Sequence, residues 1–516
     1  SAIIEDSQFS NVGVAIAASA GDLTAKNLTM ASASVGLATN SGVEFQASDI
    51  QASSVSLLAD LSNADDFTLV DVQADGNQLI KSNSATGARI SNVNFIGSVD
   101  TNLPVIEQDC DGNCSIENIS ISDAKYGILL TGLGNHQIIS SLINGQQYAL
   151  RSSEEGHLTI NNSSFTSDEA GIITRDTNTV ILGDVVSTTT SRQSIAVDII
   201  GGIHLWDNLS ISKSYDSGDL HSIGCKAWYT TITASSLEAS NFSTGILVQE
   251  SDLAAEDIAS KGGQNNGIEL VNGNLIANHV ETKFQATGIL MTQTSQTTIY
   301  QWIAELQDIP LQVDRFSAAY ILDLTTINSN PAFSDASGQG ALYYGSTANL
   351  AISTATSQEF LLTTIQITDM SGSPIEAEII VNTFQMESDE NGEVLVPLFS
   401  NGSVVTASIY GTGVSKLLNG AVQGQSIQVP VIPSGDWIIS SNSSITIQSD
   451  TGLQELTGDL ILEDNAVLSI DNTMLVMQTG ATISISDNAS IIGTNAVITA
   501  DTITITDAGY ISALDS

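Results

Sequence analysis

A small residue followed by an aliphatic residue returns along this sequence at a nearly constant spacing. The clearest stretch is Gly245-Ile246, Gly267-Ile268, Gly288-Ile289 and Pro310-Leu311, at intervals of 22, 21 and 22 residues. Self-similarity at a period of about 20–50 residues is typical of repeat architectures, in which each repeat buries its apolar face only against its neighbours. This series constrains the fold more than any other feature of the chain.

The series can be followed back towards the beginning of the chain. Its other members are Gly13-Val14, Gly36-Leu37, Ser56-Leu57, Gln78-Leu79, Pro104-Val105, Gly127-Ile128, Ala149-Leu150, Gly171-Ile172, Ala196-Val197 and Gly224-Cys225, with Ala341-Leu342 as the last. Each small-aliphatic pair marks one short strand. A short alternating stretch with its own apolar residue precedes the pair and predicts a second strand, and a third strand follows the pair. Three short strands, at about 3.3 Å per residue, close one coil of a parallel β-helix. We therefore predict an all-β chain forming a right-handed parallel β-helix of about 22 residues per rung.

Two other repeat folds fit the sequence less well. A leucine-rich repeat requires a recurring L-x-x-L-x-L-x-x-N frame, which the sequence lacks, and a β-propeller blade needs about 40 residues. The series of small-aliphatic pairs, which we call the column, and segments such as CSIENISISDAKYGILLTG resemble the pectate-lyase-like right-handed β-helix superfamily, particularly its archaeal and bacterial cell-surface members. The resemblance covers roughly residues 1–345 and implies an architecture rather than an activity.

The residue pattern of the sequence changes twice after the last small-aliphatic pair. We place the first β-helix at 1–355. Hairpin-type turns follow at Asp369-x-x-Gly372-x-Pro374 and at Asp389 to Gly392, between strands that suit a small antiparallel sandwich. This stretch resembles the carboxypeptidase-regulatory-like, immunoglobulin-like modules of surface proteins, which implies a spacer or adhesion module at 356–431. Alternating strands such as LTGDLILEDNAVLSI then predict a second β-helix segment at 432–516.

The charge balance excludes several classes of partner. The chain has 13 Lys+Arg against 57 Asp+Glu and a net charge of −44. Such a surface repels the phosphates of nucleic acids and disfavours docking on anionic lipid. No run of about 18 apolar residues is present, so we expect no membrane span in this segment. The acidic surface could recruit Ca²⁺, although the fold requires no cofactor, and the sequence does not identify metal ligands.

Cysteines and sequons favour an extracellular location. Cys110 and Cys114 flank Asp-Gly-Asn and are predicted to form a disulfide, which fits an oxidising compartment; Cys225 is predicted to be a buried free thiol. Asn-x-Ser/Thr sequons mark acceptors for N-glycosylation. The candidate acceptors are Asn27, Asn118, Asn162, Asn208, Asn241, Asn401, Asn442 and Asn488.

One group of carboxylates recurs near the rung period. Its members are Glu238, Asp257, Glu281 and Glu305, with His279 and Lys283 alongside. For an enzyme, the resemblance implies a carboxylate cluster joined by a catalytic His or by Arg and Lys that grip acidic sugars. Stacked carboxylates about 5 Å apart could also hold a cation. A solvated acidic stripe is the simpler interpretation, because a slip of one residue turns a side chain to the other face.

These observations favour a non-catalytic extracellular protein. We predict a structural cell-surface scaffold or adhesin that associates with itself, with other surface proteins or with glycans. The chain opens on a strand pattern and closes on TITITDAGYISALDS, so we expect end strands open to pairing and assembly end to end into a filament or surface layer. The alternative is a β-helix that binds or degrades polysaccharides, as a lyase or hydrolase would.

Overall fold

Alternating small polar and aliphatic residues produce strands throughout the chain. The computed structural model describes residues 2–19, 21–39, 43–62, 64–154, 156–214, 221–314, 316–329, 333–335, 339–348, 357–369, 372–409, 412–429, 435–448 and 453–514. Within these ranges every regular element is a β-strand, and they form a parallel β-solenoid of about 21 turns with about 22 residues per turn, together with small additional sheets. The predicted all-β, parallel β-helix fold is therefore confirmed.

The first part of the chain is one continuous solenoid. Its strands are β1 (Ala2–Ser10), β2 (Val14–Ala18), β3 (Leu23–Ala31), β4 (Val35–Thr39), β5 (Val43–Leu61), β6 (Ala64–Ile96), β7 (Pro104–Thr131), β8 (Asn135–Ile139), β9 (Leu142–Ser153), β10 (His157–Asn161), β11 (Ser164–Ser167), β12 (Ala170–Arg175), β13 (Asn178–Thr189), β14 (Ile195–Ile200), β15 (Ile203–Lys213), β16 (Ile223–Trp228), β17 (Thr231–Ser240), β18 (Thr244–Gln249), β19 (Asp252–Lys261), β20 (Asn266–Val271), β21 (Asn274–Lys283), β22 (Thr287–Thr292), β23 (Gln296–Glu305), β24 (Ile309–Val313), β25 (Ala318–Ile327), β26 (Phe333–Asp335), β27 (Ala341–Ala348) and β28 (Ser357–Glu359).

Each coil has three faces, which we name by one well-formed rung. The first face consists of residues 252–255 and their register partners on the other rungs. The second face consists in the same way of residues 257–261 and their partners, and the third of residues 246–249 and theirs. Side chains alternate between the interior and solvent, as the period of a strand requires. The inward residues form one apolar cluster that runs from Ile16 to Leu342. Full burial of one aliphatic side chain stabilises the fold by about 1.5–3 kcal/mol, so this continuous column is the main source of stability.

The third face contains the repeated pairs found in the sequence. Ile246, Ile268, Ile289 and Leu311 are register partners on consecutive rungs. At Gly245 close packing favours glycine, because a Cβ there would lie 2.0 Å from Ser260 Oγ and 2.6 Å from the carbonyl oxygen of Gly267. The series is correct from Gly127-Ile128 onward to Pro310-Leu311.

The predicted register is wrong on several earlier rungs and at the end. The third-face partners of Leu37 are Ile16 and Ala59, so Val14 and Leu57 are each two residues out of place. Ile80 and Ile106 occupy the column where Leu79 and Val105 were predicted. Leu342 pairs with Ala319 on the first face, whereas the next member of the third-face column is Phe333. Strand hydrogen bonding, rather than the nearest small-aliphatic pair, determines these positions.

A set of mainly antiparallel strands follows the first solenoid. The strands are β29 (Leu361–Thr368), β30 (Glu378–Val381), β31 (Phe384–Glu387), β32 (Glu393–Leu398), β33 (Ser403–Ile409), β34 (Thr412–Leu418) and β35 (Ser426–Gln428). They form two sheets, β32-β29-β35 and β31-β30-β33-β34.

Both predicted turns in this region have supporting hydrogen bonds. Asp369 N–H donates to the carbonyl of Ser373 at 2.8 Å, while residues 370–371 lie outside the described part. Asp389 Oδ1 accepts from the N–H of Glu393 at 2.7 Å. That hydrogen bond, aided by Asn391, lowers the pKa of Asp389.

Parallel pairing resumes in a second stack of coils. Its strands are β36 (Trp437–Ile439), β37 (Ser444–Gln448), β38 (Leu453–Leu456), β39 (Leu460–Leu462), β40 (Val467–Asp471), β41 (Met474–Met477), β42 (Thr482–Ile485), β43 (Ser490–Thr494), β44 (Val497–Thr499), β45 (Thr502–Ile505) and β46 (Tyr510–Leu514). They form three separate parallel sheets around their own apolar core.

The chain divides into two compact units, Ser1–Ser357 and Gln358–Ser516. The second unit contains both the antiparallel sheets and the later coils. The three-domain division at 355/356 and 431/432 stays a prediction.

Candidate functional site

Three of the four predicted carboxylates lie together on the outer side of the second face. Glu238 and Glu281 share one column, with Ala259 between them, because each pairs in register with Ala259. Lys261, Lys283 and Glu305 form the next column, two residues further along their strands. Parallel stacking thus brings residues from four rungs into one cluster, which we name the charge ladder: Glu238, Lys261, Glu281, Lys283 and Glu305.

Ion pairs connect the whole charge ladder. Lys261 Nζ lies 3.3 Å from Glu238 Oε1 and 3.4 Å from Glu281 Oε2. Lys283 Nζ lies 2.6 Å from Glu281 Oε1 and 3.2 Å from Glu305 Oε2. Glu281 is central, since both of its oxygens bind a lysine and its side chain is only 19% exposed.

The electrostatics of the ladder follow from this pairing. Partial burial by itself raises the pKa of Glu281, but hydrogen bonds and attraction from Lys283 and Lys261 outweigh it, so the pKa is lowered. Hydrogen bonds to Glu281 and Glu305 raise the pKa of Lys283. Both groups are therefore held in their charged forms, an arrangement that suits stacking of rungs rather than proton transfer.

Asp257 does not belong to the ladder. It pairs in register with His279, in a column two residues from Glu281, and its Oδ1 lies 3.2 Å from His279 Nδ1. The Asp257 side chain is 63% exposed. Lys261 was not among the predicted residues, although its position one rung before Lys283 was a readable signal.

A second feature, absent from the predictions, is a groove of about 540 Å³ where the third face turns into the first. Trp228 ends β16, and the Tyr229 ring stacks on it with centroids 5.2 Å apart. Tyr229 lines the groove, and the other lining residues come from its own turn and from neighbouring turns and are polar or glycine. They are Gly202, Thr230, Thr231, Glu250, Ser251, Asp252, Asn272 and Asn274. Adjacent aromatic residues before a turn, in a chain with 5% aromatics, were the available signal.

The cysteines lie inside the first solenoid. Cys110 and Cys114 are joined in a disulfide with a Cα–Cα distance of 6.5 Å, and both are buried. Cys225 is a free cysteine, buried in the third-face column. Burial, aided by Asp198, raises the pKa of its thiol to about 12, which keeps it protonated and unreactive.

All eight candidate sequon asparagines are exposed; Asn27, Asn118 and Asn208 lie within strands, and the other five lie between strands. Five use the side-chain amide as a donor to a neighbouring rung: Asn27, Asn118, Asn208, Asn241 and Asn488. In the other three, the side-chain oxygen accepts a hydrogen bond: Asn162, Asn401 and Asn442. Glycan attachment at any of them stays a prediction.

Within the described residues, no group of three or more His, Cys, Asp or Glu side chains is arranged to hold a metal ion. The same ranges contain no helix long and apolar enough to cross a membrane. Calcium binding stays a prediction.

No protein family, curated protein or solved structure matches this chain.

Proposed function

We propose that this chain is an extracellular structural scaffold or adhesin of a cell surface and that it is not an enzyme. The observation that supports this most is the use of outer side chains to connect rungs. The charge ladder spans four rungs, and turn asparagines add a second type of connection. Asn92 Nδ2 donates to Asp71 Oδ1 at 3.0 Å, and Asn274 Nδ2 donates to Asp252 Oδ1 at 2.7 Å.

These connections add to the backbone hydrogen bonds of the solenoid. Each links residues about 22 positions apart, hence on adjacent coils. In a repeat protein, stability is approximately a sum of repeat and nearest-neighbour terms. Side chains that strengthen such interfaces resist opening along the coil axis, a property that a load-carrying scaffold requires.

We further propose that the first solenoid belongs to the cell-surface type of the pectate-lyase-like superfamily and that residues 356–431 form an immunoglobulin-like spacer. Parallel coils before and antiparallel hairpins within this region support both assignments. The disulfide supports an oxidising compartment, and self-association, other surface proteins or glycans are the proposed partners.

Immunolabelling of the producing cells tests the location. Antibodies against the folded chain should label intact cells, and labelling only after permeabilisation would contradict an extracellular scaffold. The non-enzymatic part is tested by incubating the chain with acidic and neutral polysaccharides. Release of reducing ends or unsaturated sugars would refute it.

Light scattering of the purified chain tests assembly separately. We expect the mass to exceed that of a monomer in calcium, in chelator or in both. A monomer under both conditions would refute self-association of this segment while leaving the scaffold proposal to the labelling experiment.

A further inference from the structure

Tyr229 combines an unfavourable backbone conformation with an exposed ring. Its φ is 53°, in the left-handed region, and the residue is 57% exposed. Left-handed backbone costs an L-residue about 1–2 kcal/mol, and glycine or asparagine is the usual occupant. Gly201 and Asn272 occupy nearby turns at the same corner with φ of 69° and 50°. Asp176, Glu250 and Gln293 also have positive φ at this corner, so the left-handed backbone belongs to the corner itself, and the exposed aromatic ring is what sets Tyr229 apart.

The exposed ring is nevertheless held in place. Its stacking partner Trp228 lies behind it, with an angle of 23° between the ring planes. The nearby carboxylate of Glu250 raises the pKa of the Tyr229 hydroxyl. Stacking on Trp228 limits the rotation of the Tyr229 ring, so the two rings form a platform that gives up little conformational entropy on binding.

Polar groups line the groove together with the Tyr229 ring. Asp252 Oδ1 accepts from Asn274 Nδ2 at 2.7 Å, which fixes both side chains on the groove wall. Asn272 Oδ1 accepts from Thr294 Oγ1 at 2.9 Å. The hydroxyl of Thr230 donates to the carbonyl of Gly202 at 2.8 Å and belongs to the floor. Carboxylate acceptors and amide groups thus line one groove with the tyrosine ring.

We propose that this groove binds a neutral saccharide. A sugar ring offers an apolar C–H face for the platform and hydroxyls that both donate and accept, which matches this mixture of groups. Glu250 and Asp252 repel a uronic acid, as does the net charge of −44. The same two carboxylates attract an amino sugar, so the titration must compare neutral with cationic oligosaccharides. The proposal is independent of the scaffold function, because either can hold without the other.

Binding of oligosaccharide probes to the full chain tests the site. Calorimetric titrations would use neutral hexaoses of glucose, mannose, xylose and N-acetylglucosamine, with hexagalacturonate and hexaglucosamine as charged counterparts. We expect at least one neutral hexaose to bind and Tyr229→Asn to weaken it by about tenfold or more. Asparagine tolerates the left-handed backbone, so this variant should fold at least as well as the parent chain.

Phe316 provides the matched control. It is 66% exposed with φ of 65°, yet it does not line the groove. Phe316→Asn should therefore leave the affinity unchanged. Absence of binding by every neutral hexaose at millimolar concentration, tighter binding of a charged hexaose, or equal affinity in the Tyr229→Asn variant would each overturn the proposal.

Discussion

Replacement of Glu281 by glutamine tests whether the charge ladder stabilises the solenoid. Glutamine keeps the size and one acceptor oxygen of the side chain but removes its charge. In the native chain Glu281 binds Lys261 and Lys283 at 3.4 and 2.6 Å. The substitution leaves neither lysine without an ion-pair partner, since Glu238 still lies 3.3 Å from Lys261 and Glu305 still lies 3.2 Å from Lys283.

The expected loss is about 1 kcal/mol in the free energy of unfolding. A solvent-exposed ion pair contributes about 0.2–1 kcal/mol, and Glu281 takes part in two. Its 19% exposure places it towards the upper part of that range, whereas the surviving pairs reduce the cost of its removal. A loss of several kcal/mol would require an unpaired buried charge, which the substitution does not create.

Urea unfolding monitored by tryptophan fluorescence measures this loss. Trp302 is a local reporter, because it is buried and its Nε1 donates to Thr282 Oγ1 at 2.9 Å, next to Glu281. A local reporter matters in a solenoid, where distant coils can unfold separately. Asp257→Asn is the matched control, since Asp257 lies on the same face and contacts only an exposed histidine among the ion pairs found; its effect should stay within about 0.5 kcal/mol.

Salt and pH give two further signatures. In about 1 M salt, where the Debye length is about 3 Å, the difference between parent and Glu281→Gln should shrink. Because the folded-state pKa of Glu281 is lowered from 4.5, its contribution is present above that value and disappears as pH falls through the lowered pKa. A variant as stable as the parent at neutral pH and low salt, or a larger loss in Asp257→Asn, would refute the stabilising role of the ladder.

Three more outcomes follow from buried positions. Burial lowers the pKa of His204 from its ordinary 6.5 to about 4, so the free energy of unfolding should be highest above pH 6.5 and fall by up to roughly 3 kcal/mol towards pH 4. The urea midpoint, plotted against pH, should therefore fall less steeply in His204→Gln than in the parent chain. Equal slopes would contradict this role of His204. The Cys225 thiol should resist iodoacetamide at mildly alkaline pH until urea is added, and labelling of the folded chain in mass spectra would show that the thiol is accessible. At Gly112 a Cβ would lie 1.7 Å from the carbonyl oxygen of Thr86, whereas at Gly13 it meets nothing within 4 Å; Gly112→Ala should cost about 1–3 kcal/mol in urea unfolding and Gly13→Ala almost nothing, so equal effects would contradict the packing argument.

The parallel β-helix could be predicted from the sequence because limited space restricts which residues can occupy one column of the third face. At Gly245 the space for a side chain is occupied by Ser260 and by the backbone of Gly267, so glycine recurs and marks the register. Near residues 56–59 no glycine is present, and Ser56-Leu57 matches the small-aliphatic pattern, whereas Leu58-Ala59, which occupies the column, has the reverse order. Only strand hydrogen bonding selects Ala59 as the partner of Leu37, which is why the sequence pattern slipped there.

The groove was harder to predict because its residues share no periodic signal. Tyr229, Glu250, Asp252 and Asn274 come from three successive coils, and each alone is an ordinary polar or aromatic residue in a turn. The feature that distinguishes Tyr229 is its exposed aromatic ring at a corner where the neighbouring coils have Gly201, Glu250 and Asn272, and the sequence does not show which residues share that corner. A site built from unrepeated residues at a repeated corner becomes visible only when the coils are stacked.

The charge ladder lies between these two cases and links fold to proposed function. The rung period placed Glu238, Glu281 and Glu305 near one another, but the offset of two residues that seats Lys261 between two glutamates depends on the strand register. A stripe of free carboxylates would repel itself and could hold a cation, whereas the same carboxylates paired with two lysines bind rungs together. The strand register therefore determines whether these carboxylates form a cation-binding site or stabilise the stacked rungs, and the four ion pairs on this face favour stabilisation.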